Sequence, residues 1–183
     1  MQITTIILAG GLSQRMGTDK ALLELGGKTL LERAIDLCKP FSSELLISSN
    51  HQAHTTFGYT VVEDEIKNCG PIGGIYSCLK RSSNDWNLVL SVDTPFVQKS
   101  FIDFLKEETR NFEAVVPVHE GKKEPLIAFY HKSTLREIRT MIEDGDYKLH
   151  FLLQKLNTNF AESGEWLKKY PKLFQNLNCP EDI

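Results

Sequence analysis

The sequence has no apolar run near the roughly 20 residues that a membrane-spanning helix needs, and its 183 residues carry a net charge of only −3. A charge this small offers no general attraction to nucleic acid or to an anionic membrane, so neither is expected as a partner. A strand-like run begins as early as Ile3, which leaves no room for a signal peptide. We therefore expect a soluble cytoplasmic protein.

Metal-binding and hydrolase motifs are also missing. The four cysteines form no CxxC pair and the five histidines share no ligand spacing, which argues against a zinc site. Scattered free thiols are typical of a reducing compartment. No GxSxG occurs, which counts against a hydrolase nucleophile elbow. The histidines, which we expect to be structural or surface residues, are His51, His54, His119, His131 and His150.

Strand-like and helix-like segments alternate along the chain. The unbroken apolar run at 3–9 predicts a parallel strand buried on both faces. Other predicted strands are 44–49, 59–63 and 86–92, and predicted helices are 29–40, 70–81, 99–108, 133–142 and 147–156. Thr29 and Glu32 predict a capping box at the start of the first of these helices, and Ser133 is expected to cap the fourth. Strands at 114–118 and 126–130 are expected to pair as an antiparallel hairpin. This order predicts one domain, residues 1–183, with a Rossmann-like three-layer α/β/α fold whose mostly parallel sheet carries an antiparallel insertion.

The loop after the first strand has the composition of a phosphate-binding loop. Gly10 and Gly11 let backbone amides approach an anion, Ser13 adds a hydroxyl group, and Arg15 and Lys20 add two positive charges. The spacing GGLSQRMG is neither a P-loop nor a GxGxxG motif. The alternative interpretation is an ordinary strand-to-helix turn with two solvated charges.

Acidic residues end two other predicted strands. Asp93 follows the strand at 86–92 and is suited to Mg²⁺, which takes one or two carboxylates plus substrate phosphates. Its alternative role is an Asx-turn or a helix cap before Pro95. Asp64, within Glu63–Glu65, could reach the same sheet edge, because ligands bind at the carboxyl ends of parallel strands. As a charge run, this segment could instead be solvated.

Taken together, these segments resemble the molybdenum cofactor guanylyltransferases of the MobA type. That family belongs to the nucleotidyltransferases with the nucleotide-diphospho-sugar transferase-like fold. Six segments match in the family's order and span essentially the whole chain. They are LAGGLSQRMGTDK at 8–20, VED at 62–64, GPIGGI at 70–75, VDTPF at 92–96, EPLIAFY at 124–130 and NLNCPEDI at 176–183.

The resemblance implies roles for the matching residues. Arg15, Lys20 and Asp93 would act in catalysis, with Mg²⁺ bound to Asp93. Asn176 and Asn178, with Pro180, would face the pterin-side substrate or the metal. Residues 1–96 would form the nucleotide-binding part and residues 97–183 the pterin-substrate part. The implied nucleotide-binding residues are Leu8, Ala9, Gly10, Gly11, Ser13, Lys20, Asn50, Asp64 and Asp93.

The implied reaction transfers GMP from GTP to the molybdenum–molybdopterin cofactor and releases pyrophosphate. Molybdoenzymes or their chaperones would be further partners. The alternatives are a cytidylyltransferase or sugar-phosphate nucleotidyltransferase of the same fold, and a non-catalytic accessory that binds a nucleotide and delivers the cofactor. Gly10 favours guanine, because the related cytidylyl enzymes resemble LAAG rather than LAGG at this point.

Two departures from the family pattern concern the pterin side. Family members often have a basic residue after the glycine that corresponds to Gly145, whereas Asp146 and Tyr147 follow here. The sequence also ends at Ile183, where the family commonly continues into a last helix.

Overall fold

A computed structural model describes residues 1–10 and 19–177. These residues contain ten strands and six α-helices. The strands are β1 Ile3–Leu8, β2 Glu24–Leu25, β3 Lys28–Thr29, β4 Glu44–Ser48, β5 Thr60–Val62, β6 Trp86–Ser91, β7 Ala114–His119, β8 Lys122–Lys123, β9 Ile127–His131 and β10 Thr158–Glu162. The helices are α1 Leu30–Cys38, α2 Pro71–Arg81, α3 Lys99–Glu107, α4 Leu135–Glu143, α5 Leu149–Lys155 and α6 Gly164–Lys169, and short 3₁₀ helices lie at Lys20–Leu22, Gln52–Phe57 and Lys132–Thr134.

One mixed sheet runs through the molecule in the order β10–β7–β9–β6–β1–β4–β5, with β8 paired to β7. The central strand β1 pairs in parallel with β4 and with β6. Strand β9 is antiparallel to both of its neighbours, β6 and β7. The predicted hairpin and the mostly parallel sheet with an antiparallel insertion are therefore confirmed.

Both faces of the sheet are covered by helices, which makes the fold a three-layer α/β/α structure. On one face, Ile3 and Ile7 of β1 join the apolar cluster that includes α1 and α3. On the other face, Ile6 and Leu8 join the cluster that includes α2, α4 and α5. Burial on both faces explains why β1 reads as an unbroken apolar run with no polar alternation. None of the helices in the described ranges is long and apolar enough to cross a membrane.

Two local predictions differ from the structure. Ser133 does not cap α4, because its hydroxyl contacts His131 and Glu113, and the N-cap position belongs to Thr134. The sequence predicts no strand or helix after residue 156, where strand β10 lies. Its residues, TNFAE, include a single buried side chain, Ala161, because β10 is an edge strand beside β7. A strand of this kind has little apolar periodicity to reveal it.

The parallel strands β1, β4, β5, β6, β7 and β10 all end at one edge of the sheet, which we call the carboxyl edge. Because β9 runs the opposite way, the residues just before Ile127 lie at this edge as well. Ligands of open α/β sheets bind at such an edge. The residues that follow β1, β4, β5 and β6 are therefore the first to consider as a functional site.

Thr29 begins α1 with the capping box predicted from the sequence, since its hydroxyl accepts the amide of Glu32. We expect Thr29→Ala to lower the free energy of unfolding by about 1 kcal/mol, because the helix loses a bonded amide at its first turn. Thr140→Ala, at an exposed position inside α4, is the matched control and should be neutral or slightly stabilising, because alanine has the higher helix propensity. Urea unfolding measures both variants, and equal losses would contradict the capping role.

Candidate functional site

An ion pair joins the end of β6 to the residue that follows the glycine-rich loop. The Asp93 carboxylate accepts a hydrogen bond from the Ser91 hydroxyl at 2.6 Å and one from the Lys20 ammonium at 3.1 Å. Both charged side chains are 22% exposed. The N-cap of the helix that follows is Gln98 rather than Asp93. The alternative role of Asp93 as a helix cap is therefore wrong, and its carboxylate faces the carboxyl edge.

A buried histidine supports the residues next to Lys20. Asp19 accepts the amide of Ala21 at 3.0 Å and so caps the 3₁₀ helix that begins at Lys20. The other carboxylate oxygen of Asp19 lies 2.8 Å from Nε2 of His54, and Nδ1 of the same ring lies 2.7 Å from the hydroxyl of Ser49. From the sequence, His54 is predicted to be one of five structural or surface histidines. No short-range spacing could have revealed this contact, because 35 residues separate Asp19 from His54.

Asn50 and Asp64, two of the predicted nucleotide-binding residues, are in contact at the ends of β4 and β5. The Asn50 amide donates to the Asp64 carboxylate at 3.3 Å, and the Asp64 backbone amide donates to the Asn50 side-chain oxygen at 3.1 Å. Burial raises the pKa of Asp64, although the hydrogen bond from Asn50 opposes the change. The pair therefore presents a fixed amide and a partly desolvated carboxylate at the carboxyl edge.

Asp64 and Asp93 do not form a carboxylate pair. They follow β5 and β6, which are three strand positions apart in the sheet, and this corresponds to about 14 Å at the usual strand spacing. Within the described ranges, no group of three histidine, cysteine, aspartate or glutamate residues is arranged to hold a metal ion. A metal at this edge would rely on one protein carboxylate together with oxygen atoms of a ligand.

The end of β1 is tied to β4. The amides of Ala9 and Gly10 both donate to the carbonyl oxygen of Ser48 at 3.0 Å. The Gly10 amide therefore already has a backbone acceptor, and its approach to an anion stays a prediction. The side chains of Leu8 and Ala9 are buried in opposite apolar clusters. The predicted site residues Gly11, Ser13 and Arg15 lie outside the described residues.

The last described residues contact the same edge. The backbone amide of Leu177 donates to the carbonyl oxygen of Asp93 at 2.8 Å, and the Leu177 side chain is fully buried. The neighbouring Asn176 is exposed. Asn178 and Pro180 lie outside the described residues. The segment that ends at Leu177 is therefore bonded directly to the backbone of Asp93.

An aromatic pair lies on the β7 side of Asp93. Phe174 stacks on His119 with 4.6 Å between ring centroids and 6° between ring planes. Nε2 of His119 lies 2.9 Å from the carboxylate of Glu124, in the segment before β9. Leu126, two residues further on, accepts the backbone amide of Ser91. The sequence treated His119 as structural or surface, and it offered no signal for the contact with Phe174, 55 residues away along the chain.

Residues 5–160 match the family model described as MobA-like NTP transferase domain. The chain belongs to this family. Among its relatives, a protein of Halalkalibacterium halodurans named "Probable molybdenum cofactor guanylyltransferase" is 34% identical over 97% of this chain and 94% of the relative. The "Molybdenum cofactor guanylyltransferase" of Vibrio parahaemolyticus is 32% identical over 100% of this chain and 93% of the relative.

A solved structure from Archaeoglobus fulgidus, described as molybdopterin-guanine dinucleotide biosynthesis protein A, has a similar fold. It superposes with a TM-score of 0.81 at 27% identity and covers 98% of this chain and 94% of its own. The family that the sequence resembles is therefore confirmed. The fold class predicted from the alternating strands and helices agrees with this neighbour.

Gly74 of α2 packs closely against the site. A Cβ atom at this position would overlap the Ser48 hydroxyl and lie 3.4 Å from the Asp64 carboxylate. We expect Gly74→Ala to lower the free energy of unfolding by about 1–3 kcal/mol, as overpacking does. Adding Ser48→Ala should recover part of this loss, because it removes the overlapping atom.

Gly164→Ala is the matched control for this substitution. A Cβ atom at Gly164 meets nothing within 4 Å, so the change should be close to neutral. Urea unfolding measures the three variants. If Gly74→Ala costs no more than Gly164→Ala, the close approach of α2 to Ser48 is not a constraint on the fold.

Proposed function

We propose that this protein transfers GMP from GTP to the terminal phosphate of the molybdenum–molybdopterin cofactor, with release of pyrophosphate. The observation that carries the proposal is the pairing of Lys20 with Asp93 at the carboxyl edge, 3.1 Å apart, in a chain of the MobA-like NTP transferase family. The relatives named as molybdenum cofactor guanylyltransferases support the choice of base and acceptor.

The reaction asks the protein to position two anions and to neutralise the charge that develops between them. Lys20 supplies an ammonium group at a defined place, because Asp93 accepts its hydrogen bond and Ser91 in turn orients Asp93. Arg15 would add a second positive charge to the phosphates. No side chain has to act as a base, since the attacking phosphate is already ionised.

The residues at this edge fit a magnesium ion. Asp93 offers hard carboxylate oxygens that are partly open to solvent, and Mg²⁺ is commonly held by one carboxylate together with substrate phosphates. Bound there, Mg²⁺ would neutralise charge on the phosphates of the nucleotide. Asp64, three strands away, would serve the nucleoside rather than the metal.

The arrangement of the sheet supports a division of labour between residues 1–96 and 97–183. Strands β5, β4, β1 and β6 come from the first part, and β9, β7 and β10 from the second. We assign the nucleoside to the side of Asn50 and Asp64, where backbone atoms of Leu8, Ala9 and Gly10 lie nearby. Gly11 and Ser13 complete the proposed nucleotide loop.

We assign the pterin substrate to the other side of Asp93. The stacked rings of His119 and Phe174 lie there, and the segment that carries Asn176 is bonded to the backbone of Asp93 through Leu177. Asn178 is proposed to serve the same substrate. Recipient molybdoenzymes or their chaperones stay proposed partners.

We propose the cytoplasm as the compartment. Cys38, Cys69 and Cys78 are unpaired among the described residues, and burial raises the pKa of Cys38 and Cys78 to about 12.

Pyrophosphate release from GTP in the presence of molybdenum–molybdopterin tests the proposal. We expect release that requires both substrates. We expect Asp93→Asn to lower turnover by about two to three orders of magnitude, because the proposed Mg²⁺ loses the carboxylate that would hold it. Asp103→Asn is the control, since Asp103 forms an exposed pair with Lys99 on α3, and such pairs contribute little. Cofactor-independent GTP binding without any pyrophosphate would favour the non-catalytic accessory.

Gly10 tests the choice of base. Its φ is outside the left-handed region, and a Cβ atom would rest at 3.5 Å from the backbone of Ser48 and Ser49, so the fold tolerates alanine. The added methyl would take up room between the ends of β1 and β4, beside Asn50. We expect Gly10→Ala to lower the kcat/KM ratio of GTP over CTP by about tenfold. A ratio equal to that of the wild type would remove Gly10 from base selection, even if both rates fell.

A further inference from the structure

His54 is fully buried and both of its ring nitrogens have partners. It lies in the 3₁₀ helix Gln52–Phe57, which follows β4 directly. A buried imidazole is costly unless its polar atoms are satisfied, and when they are satisfied the ring has one preferred orientation. His54 is therefore a fixed point on the β4 side of the carboxyl edge.

The donors and acceptors around His54 form a consistent set. An Asp19 carboxylate only accepts, so Nε2 of His54 donates its hydrogen to Asp19. Nδ1 then accepts the hydroxyl hydrogen of Ser49, and the Ser49 oxygen still accepts the backbone amide of His51 at 2.9 Å. For the neutral ring, every hydrogen in this set has an acceptor, and the contacts select the tautomer that carries its hydrogen on Nε2.

The chain of contacts continues to the ion pair. Asp19 accepts from His54 with one oxygen and from the Ala21 amide with the other, and Ala21 is fully buried. Lys20 lies between these two anchored residues, and its ammonium reaches Asp93. Because β1 lies between β4 and β6 in the sheet, this chain of polar contacts crosses over the end of β1.

We propose that His54 is a positioning residue for the phosphates of the nucleotide: through Asp19 it fixes the backbone that carries Lys20. The inference rests on the proposed function, because it needs a nucleotide whose phosphates Lys20 contacts. His54 itself touches neither the ligand nor the reacting atoms. It acts at a distance by removing the freedom of the segment where the glycine-rich loop ends.

A double-mutant cycle tests this role, with calorimetric binding of Mg²⁺-GTP and with guanosine as the probe that lacks phosphates. We expect Lys20→Ala to lower the affinity for GTP by about 10–100-fold, as the loss of a charge-assisted contact does. His54→Leu should lower the affinity for GTP by about tenfold. In both variants the affinity for guanosine should stay within about twofold of the wild-type value. On the Lys20→Ala background, His54→Leu should have no further effect, because the two residues act as one unit.

Two further variants separate positioning from general stability. His54→Gln can donate to Asp19 and accept from Ser49, and it should restore GTP affinity to within about threefold of the wild type. Asn87→Leu removes a fully buried polar side chain near the opposite edge of the same sheet, and it should lower stability without changing GTP affinity. If His54→Leu does not fold, Ser49→Ala replaces it in the same cycle. Ser49→Ala should lower GTP affinity by about threefold, and it should have no effect on the Lys20→Ala background.

Three results would overturn the inference. Additive losses in the double variant would mean that His54 acts independently of Lys20. Equal losses for GTP and guanosine would assign His54 to the nucleoside or to folding. Unchanged GTP binding in His54→Leu, with normal binding in the wild type, would reject the positioning role alone, whereas a wild type that binds no GTP would reject the proposed function with it.

Discussion

The burial of β1 on both faces, with a parallel partner along each edge, is the constraint on which the site depends. At its end, Ser48 of β4 accepts the amides of Ala9 and Gly10, and Leu8 of β1 accepts the amide of Val92. These bonds fix where β4 and β6 end relative to the end of β1. Asn50 and Asp93 therefore reach the same edge because a single apolar strand sets the register on both sides.

The polar contacts at this edge differ in how much water they retain. His54 and Ser49 are buried, so each must be fully bonded to offset the cost of desolvation. The Lys20–Asp93 pair keeps some contact with solvent. Partial exposure lowers the cost of separating the two charges, which a fully buried pair would make high. The arrangement thus combines a rigid support with an ammonium group that can exchange one anionic partner for another.

Much of the fold and part of the site could be predicted from the sequence. Apolar runs and the capping box at Thr29 specified β1, β6 and α1 locally, and the rule that parallel strands end at one edge placed Lys20 and Asp93 together. The link between Asp19 and His54 could not be predicted, because neither residue has a local pattern that differs from that of a surface residue. Strand β10 could not be predicted for a related reason, because its pairing with β7 is a tertiary contact and its own sequence is mostly polar.

The antiparallel strand β9 gives the sheet a second group of residues at the carboxyl edge. A parallel strand in its place would put the segment before it at the amino edge, far from Asp93. Because β9 runs in the opposite direction, Glu124 and Leu126 come to the carboxyl edge, where Leu126 bonds to Ser91 and Glu124 holds His119 against Phe174. The reversal thus brings residues from the second half of the chain beside a carboxylate from the first half. The proposed transfer between two anionic substrates would use this arrangement, because each substrate requires its own surface next to one shared charged centre.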